Sequence, residues 1–259
     1  MLAQPRTSLL FTVTTALIAS VTVATACSAP EQADDPASEA MEAASDAPSP
    51  PAVVELIADR QVAFAIFSGA TTREEGALMG QSEELDLVFY SLESGPFDPL
   101  IFRIPPIGDG VEAAEAHVAQ ALDAGVAAIF FPHVESADDA AIAVAAMGDD
   151  HWPGNPSGSL FSMLIIESRT GVDRVDEIVG TDGVSTVFAG PDDLRQSYGS
   201  EDDVEAAIQQ VLSACQRHGV PCGITAGADD IAERMEQGFQ LLIVSDSAGL
   251  AAGRAAAGR

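Results

Sequence analysis

The chain has 259 residues, and its 40 acidic residues against 11 basic ones give a formal net charge of −29 at pH 7. All 11 bases are arginines, which excludes the P-loop and enzymes whose lysine forms a Schiff base with a carbonyl substrate or pyridoxal phosphate. So acidic a chain repels nucleic acid and anionic membrane surfaces, and neither is an expected partner. Because 47% of the residues are hydrophobic, the chain can still form a core of domain size.

Residues 1–27 have the pattern of a secretory signal peptide. Arg6 precedes an uncharged, mostly apolar run from Leu9 to Ala26, and small residues lie directly before Cys27. These small residues resemble the lipobox of bacterial lipoproteins, in which the cysteine carries a lipid anchor. We expect an exported protein of the periplasm or cell envelope, lipid-anchored at Cys27, with ordinary cleavage and an uncleaved membrane anchor as alternatives.

The segment 28–52 is expected to be a disordered acidic tether. Its Ala, Pro, Ser and Gln residues, with one Met, six acids and no base, bury too little apolar surface to fold. Behind a lipid anchor, such a tether would hold a soluble domain, residues 53–259, away from the membrane. That domain contains 34 of the acids and ten of the arginines, so the acidity is not a property of the tether alone.

Two further cysteines, Cys215 and Cys222, fall within the domain. Export would place them in an oxidising compartment, where a disulfide is permitted. Cys215 lies late in a helical pattern and Cys222 opens a strand pattern, so the spacing does not determine their separation. We favour two buried free thiols and keep the disulfide as the alternative.

Short apolar runs alternate with helical patterns from residue 53 onward. The predicted strands are Ala63–Ser68, Leu85–Leu92, Leu100–Ile104, Val126–His133, Leu160–Glu167, Val184–Ala189, Pro221–Thr225 and Leu241–Val244. The predicted helices are Val111–Ala124, Ala137–Met147, Val172–Val179, Asp202–His218, Asp229–Gln237 and Ala248–Gly258. Eight apolar strands separated by helices predict a parallel sheet closed into a (β/α)8 TIM barrel. Only residues 94–99 join strands 2 and 3, so the helix after strand 2 is expected to be missing.

Two neighbouring strands of the predicted barrel end in acids. Glu167 follows the fifth strand directly, and Asp193 follows the sixth strand after a Gly-Pro-Asp turn. The carboxyl ends of barrel strands form the face that carries active sites. Glu167 and Asp193 would offer there the oxygen ligands that Mg²⁺ or Mn²⁺ prefers. The alternative is that Asp193 only caps the helix that follows Pro191.

Motifs spread over most of residues 53–254 resemble the HpcH/HpaI aldolase family. They are Ser91-Leu92-Glu93-Ser94-Gly95-Pro96-Phe97-Asp98, Phe102-Arg103-Ile104-Pro105-Pro106, Asp123-Ala124-Gly125, Phe131-Pro132-His133-Val134-Glu135, Ile165-Ile166-Glu167-Ser168-Arg169-Thr170, Gly183-Val184, Val187-Phe188-Ala189-Gly190-Pro191-Asp192-Asp193-Leu194 and Val244-Ser245-Asp246. Members are barrel-shaped, metal-dependent pyruvate aldolases of class II. The resemblance implies cleavage of a 4-hydroxy-2-oxo acid into pyruvate and an aldehyde.

The resemblance also implies roles for particular residues. Glu167 and Asp193 would hold Mg²⁺ or Mn²⁺, with Co²⁺ as an alternative, and the metal would act as a Lewis acid on the keto acid. Arg103 would lie over the keto oxygen, unless it forms a surface ion pair. The segment Gly190-Pro191-Asp192, at a helix start, would cradle the substrate carboxylate.

Two further acids, Glu93 and Asp123, match family positions at the catalytic centre. Asp123 would partner the family's acid–base histidine, unless it is simply an acid at a helix end. This chain has Ser94 where the family has that histidine, and a serine without a neighbouring base cannot shuttle protons near neutral pH. This chain also differs from the family pattern at Ser91 and Ile165.

Three consequences of Ser94 remain open at this point. A metal-bound water replaces the imidazole, another histidine such as His133 replaces it, or retro-aldol activity is weak or lost. The first functional hypothesis is therefore an aldolase, and the second is an eroded barrel that binds a 2-oxo acid without turnover. A purely structural lipoprotein is the third. Because family members often assemble through terminal helices, a homo-oligomer is also an open expectation.

Overall fold

The computed structural model describes residues 52–67, 84–91, 101–103, 111–123 and 126–259. In chain order the elements are α1 (Ala52–Ala58), β1 (Ala63–Phe67), β2 (Leu87–Ser91), β3 (Ile101–Arg103), α2 (Val111–Asp123), β4 (Ala128–Phe131), α3 (Ala137–Ala146), β5 (Phe161–Ile166), α4 (Arg169–Asp173), α5 (Val175–Val179), β6 (Thr186–Ala189), α6 (Pro191–Ser197), α7 (Glu201–His218), β7 (Cys222–Thr225), α8 (Ile231–Gln237), β8 (Leu241–Val244) and α9 (Ser247–Ala257). The expected signal peptide and nearly all of the tether lie outside the described residues.

The eight strands form one closed ring in which each strand is parallel to both of its neighbours. The ring closes where β8 pairs with β1, with Ala63 opposite Leu241 and Ile66 opposite Val244. The eight predicted strands are therefore confirmed, with ends that differ by a few residues at most. Because all strands are parallel, their carboxyl ends meet at one mouth of the ring.

The prediction of a (β/α)8 TIM barrel that lacks only the helix after strand 2 is wrong in its helical layer. An extra helix, α1, precedes β1, and pairs of helices follow both β5 and β6. The predicted helix Val172–Val179 is divided into α4 and α5, because Arg174 between them leaves helical geometry with φ −109° and ψ 9°. The segment 92–100, where a helix was expected to be missing, lies outside the described residues.

Side chains along β1, β4, β5 and β8 alternate between two cores, as the two-residue period of a strand requires. In β5, Phe161, Met163 and Ile165 belong to the core inside the ring. Leu164 and Ile166 belong to the core between the strands and the helices. The residue two positions after Ile165 is therefore expected to face the interior of the ring as well.

The longest helix, α7, has well-formed ends. The side chain of Ser200 accepts the backbone N–H of Asp203 at its start, and Gly219 ends it with a left-handed φ of 71°. This confirms the predicted helix at residues 202–218. Neither α7 nor any other helix in the described ranges combines the length and apolar character needed to cross a membrane.

The carboxyl-terminal helix α9, rich in alanine and glycine, packs directly on the ring. A Cβ at Gly253 would lie 2.5 Å from the ring of Phe64 in β1, so only glycine permits this close approach. Arg259 then donates to the carbonyl of Val62 at 2.6 Å and to Asp86 Oδ2 at 2.6 Å, with its guanidinium over the Phe64 ring. The small residues of α9 therefore serve close packing within the chain.

A buried histidine connects the loop 148–160 to the amino-terminal ends of β5 and β6. The Nε2 atom of His151 lies 3.0 Å from Ser162 Oγ and 2.6 Å from Ser185 Oγ, and it accepts the backbone N–H of Ser162 at 3.2 Å. Burial lowers the pKa of His151 to about 4. The ring is therefore neutral near neutral pH and can serve as an acceptor.

We expect acid to destabilise the protein through His151. Between pH 6.5 and about 4 the unfolded chain binds a proton at this residue and the folded chain does not, so the free energy of unfolding falls as the pH falls through this window. The difference amounts to at most about 3 kcal/mol. Urea unfolding of the wild type and of His151→Asn over this pH range should show the steeper dependence in the wild type. Parallel curves would contradict the prediction.

Candidate functional site

Glu167 and Asp193 line the same cavity, of about 80 Å³, at the carboxyl ends of the strands. Glu167 follows β5 at the next inward position after Ile165, and Asp193 lies in the first turn of α6, which follows β6. The wall also contains Asp192, and its apolar part consists of Phe67, Phe130, Ile165, Phe188 and Ile243. The predicted convergence of the two acids is thus what the structure shows, while their role as metal ligands stays a prediction.

The carboxylate of Glu167 is buried, with the residue only 3% exposed. Its Oε1 atom accepts the backbone N–H of His133 at 2.9 Å and lies 3.3 Å from the Nδ1 atom of the same histidine. A buried carboxylate without such donors would be strongly destabilising. The loop after β4 therefore helps to hold the inward carboxylate after β5.

The loop after β4 contacts the end of β5 at three successive residues. Besides His133, the N–H of Val134 donates to the carbonyl of Ile165 at 3.3 Å, and Glu135 Oε1 accepts the hydroxyl of Ser168 at 2.5 Å. Residues 133–135 thus run alongside residues 165–168 beyond the last strand pairing. The position of Glu167 is determined by its neighbours on both sides.

Gly190 provides the floor beside the carboxylate. A Cβ at this position would lie 2.8 Å from the Cβ atom and 3.3 Å from the Oε2 atom of Glu167, and 3.2 Å from Ile165. The N–H of Gly190 donates to the carbonyl of Ile166 at 3.0 Å, which fixes the end of β6 against β5. The absence of a side chain at residue 190 therefore gives Glu167 its place.

The acids of α6 have exposed partners. Asp192 Oδ1 accepts from Arg195 at 2.8 Å, and Asp193 Oδ1 accepts from Gln196 at 2.9 Å. Both are contacts one helical turn along the surface, of a kind that contributes little to stability. The bond from Gln196 involves only one of the two carboxylate oxygens of Asp193. Asp193 also lines the cavity.

The residues present fit a small, hard cation. Glu167 after β5 and Asp193 in α6 line one cavity, and glycine at residue 190 contributes no side chain beside Glu167 Oε2. Oxygen ligands of this kind suit Mg²⁺ or Mn²⁺. No group of three or more His, Cys, Asp or Glu side chains is placed to hold a metal within the described ranges.

The side chains of the other predicted site residues lie outside what the structure describes. Arg103 is the last residue of β3, at the mouth, and its side chain lies outside what the structure describes. Asp123 ends α2, which leads back to the amino-terminal end of β4, and its side chain is likewise outside the described part. Glu93 and Ser94 also lie outside the described residues. The roles inferred for these residues stay predictions.

Two features of the site were missed at the level of sequence. His133 was considered as a substitute base, but its contact with Glu167 was not foreseen. The apolar wall of the cavity was also not predicted; it includes Phe67, Phe188 and Ile243. The alternation of each strand could have identified these wall residues, because they are the last inward positions before the mouth.

A larger cavity, of about 310 Å³, lies at the opposite end of the ring and is remote from the carboxylates. Its lining includes Cys215, Cys222, Arg60 and Gln240. Both cysteines are buried free thiols, which confirms the favoured expectation. Burial, together with the neighbouring Cys215 thiol, raises the pKa of Cys222 well above its usual value. The Cys222 thiol is therefore protonated near neutral pH.

Comparison with protein families and curated proteins gives concordant matches. The family model described as HpcH/HpaI aldolase/citrate lyase matches residues 93–245. A 5-keto-4-deoxy-D-glucarate aldolase of Klebsiella pneumoniae is 34% identical over 158 residues, 50% of this chain and 60% of that protein. A protein of the same name from Salmonella arizonae is 40% identical over 91 residues, 33% of this chain and 36% of that protein. The matches span less than two thirds of the length of these relatives.

Solved structures show the same fold. An HpcH/HpaI aldolase/citrate lyase family protein from Burkholderia cenocepacia aligns with a TM-score of 0.62 and 23% identity over 80% of this chain and 97% of its own. A citrate lyase β subunit from M. tuberculosis, complexed with oxaloacetate and magnesium, aligns with a TM-score of 0.57 and 16% identity over 76% and 97%. The predicted fold class is corrected accordingly: the arrangement is the HpcH/HpaI fold, which is related to the TIM barrel but distinct from it.

We expect Gly190→Ala to destabilise the protein and to displace Glu167, because the added methyl group would lie 2.8 Å from the Glu167 Cβ atom. Overpacking of this kind costs about 1–3 kcal/mol in the free energy of unfolding. Gly199→Ala is the matched control, since a Cβ there meets nothing within 4 Å. Urea unfolding of both variants measures the difference, and equal stability of the two would refute the expected clash.

Proposed function

Because the chain belongs to the HpcH/HpaI aldolase/citrate lyase family, we propose that it is a divalent-metal-dependent lyase that cleaves a 4-hydroxy-2-oxo acid into pyruvate and an aldehyde. Family membership supports the lyase activity. The substrate class is supported by the two relatives named as aldolases of a keto-deoxy sugar acid. The metal dependence is supported by the charges around the cavity.

The observation that carries the proposal is the sign of those charges. The cavity is lined by three carboxylates, Glu167, Asp192 and Asp193, and no basic side chain is among its described lining residues. A 2-oxo acid is an anion and would be repelled by such a wall unless a cation lay between them. The structurally similar citrate lyase β subunit, whose structure contains both oxaloacetate and magnesium, offers a precedent for binding a 2-oxo acid together with a divalent cation.

A divalent cation held by Glu167 and Asp193 would supply Lewis acidity to the keto group of the substrate. The chain's own residues prepare the site for it. Glu167 is fixed by the His133 amide, so one ligand is already oriented before binding. The Phe130 and Phe188 rings, edge to face with centroids 6.2 Å apart, form an apolar wall below the carboxylates. Such a wall excludes water from the reacting group and strengthens electrostatic interactions there.

The proposal for the amino terminus is export and lipid anchoring at Cys27, with residues 28–52 as the tether. It is supported by the sequence pattern alone. Mass spectrometry of the mature amino-terminal peptide tests it, because lipidation predicts acyl chains on Cys27. A mature chain that starts elsewhere, or an unmodified cysteine, would contradict it.

We expect Glu167→Gln to lower metal-dependent release of pyruvate by at least about 100-fold, because one of the two anionic ligands is lost. A coupled assay of pyruvate in the presence of Mg²⁺ or Mn²⁺ makes the measurement. Glu177→Gln is the control, since Glu177 is an exposed acid on α5 whose ion pair with Arg174 spans 3.9 Å. Unchanged turnover in the Glu167 variant would contradict the proposal, as would a wild type without activity on any 4-hydroxy-2-oxo acid.

Ser94, in place of the family's acid–base histidine, favours a second candidate: a barrel that binds a 2-oxo acid without turnover. We expect Ser94→His to raise lyase turnover at least about 10-fold if only the proton shuttle is missing. General acid–base catalysis typically contributes more than this factor. Oxalate binding, followed by calorimetry, measures ligand binding independently of turnover. Tight oxalate binding without turnover in either protein would establish the binding module instead.

A further inference from the structure

We propose that His133 is a positioning residue that orients Glu167 for cation binding, an inference that rests on the proposed function. Two nitrogen atoms of this single residue lie close to one oxygen: its backbone N–H donates to Glu167 Oε1 at 2.9 Å, and its Nδ1 atom lies 3.3 Å from the same oxygen. An N–H at Nδ1 would add a second donor to this oxygen and so limit the rotation of the carboxylate. The other oxygen, Oε2, then lies beside Gly190, in the wall of the cavity.

The backbone of His133 adopts an unusual conformation to make this contact. Its φ of 51° lies in the left-handed region, which residues with a Cβ seldom adopt, and Arg60 is the only other non-glycine residue in the described ranges with a positive φ. Burial does not explain the conformation, because 46% of the His133 side chain is exposed. Such strain persists where surrounding contacts determine it, and it concentrates at functional sites.

Neighbouring contacts maintain that conformation. Val134 and Glu135 are bonded to Ile165 and Ser168, so the chain on the far side of His133 is tied to the same segment as Glu167. A partner in the outer shell of a metal ligand raises the affinity of the site, and its loss typically weakens metal binding about 10–100-fold. His133 has this relation to Glu167 through its ring as well as its amide.

The test separates the ring from the backbone. His133→Gly keeps the N–H and suits the left-handed conformation, but removes the Nδ1 donor, whereas His133→Asn accepts the same conformation and retains a side-chain donor. We expect the Kd of Mn²⁺, measured by calorimetry without substrate, to rise about 10-fold in the glycine variant. The asparagine variant should remain within about 3-fold of the wild type, as rescue by a retained donor requires.

Arg60→Gly is the matched control, because it removes the side chain of the other left-handed residue at the remote end of the ring. It should leave the Kd of Mn²⁺ unchanged. An unchanged Kd in His133→Gly would overturn the proposal, and so would an equal loss of affinity in both glycine variants.

A wild type that binds no Mn²⁺ would refute the proposed function, and a second measurement then decides the role of His133. In the metal-free protein, a double-mutant cycle of His133→Gly and Glu167→Ala reports their coupling in urea unfolding. We expect the unfolding equilibrium constants to depart from multiplicativity by at least about 2-fold. Strictly multiplicative effects would show that the ring does not hold Glu167.

Discussion

The closed ring of eight parallel strands is the constraint on which the rest of the molecule depends. Parallel pairing sends every carboxyl end to the same mouth, and the two-residue period of each strand decides which side chains reach it. Where the interior is crowded, the sequence provides space: a Cβ at Gly223 would lie 2.8 Å from the ring of Phe188. In the same way, the absence of a side chain at Gly190 leaves room for Glu167. Packing inside the ring therefore also determines the geometry of the mouth.

Glu167 is a buried acid at that mouth. A carboxylate buried to this degree needs donors or a cation, because desolvation of a charge costs several kcal/mol. His133 supplies a backbone N–H donor and a nearby ring nitrogen to one oxygen, from a loop that other contacts tie to β5. The presence of Asp192 and Asp193 in the same wall adds like charge, which a bound cation would neutralise. Burial and charge at this cavity thus both favour the proposed cation.

Few basic residues are available to form ion pairs in this acidic domain. Arg234 binds both carboxylate oxygens of Glu205, at 2.7 and 2.8 Å, and these bonds lower the pKa of Glu205. Arg217 in the same way lowers the pKa of Asp176. Most such pairs are exposed and contribute little individually. Without lysine, charge pairing is limited to a few arginines, and the core of the ring carries the stability.

Much of the architecture was determined by the sequence itself. Apolar runs of strand length, separated by helical patterns, predicted the eight parallel strands, and the position of Glu167 after β5 predicted its place at the mouth. These are properties of short segments, which local periodicity encodes. The motif resemblance likewise identified Gly190 and Asp193, although it did not give the reason why residue 190 has no side chain.

Only the tertiary structure decided how the acid at the mouth is held. The contact between His133 and Glu167 joins residues 34 positions apart, and it depends on a left-handed backbone that no local pattern requires of a histidine. The division of the helix after β5 and the departure from a regular (β/α)8 layer were also undetermined, because helix ends respond to packing against the ring. Periodicity states which face a residue occupies, whereas the partner it meets there depends on how distant segments pack together.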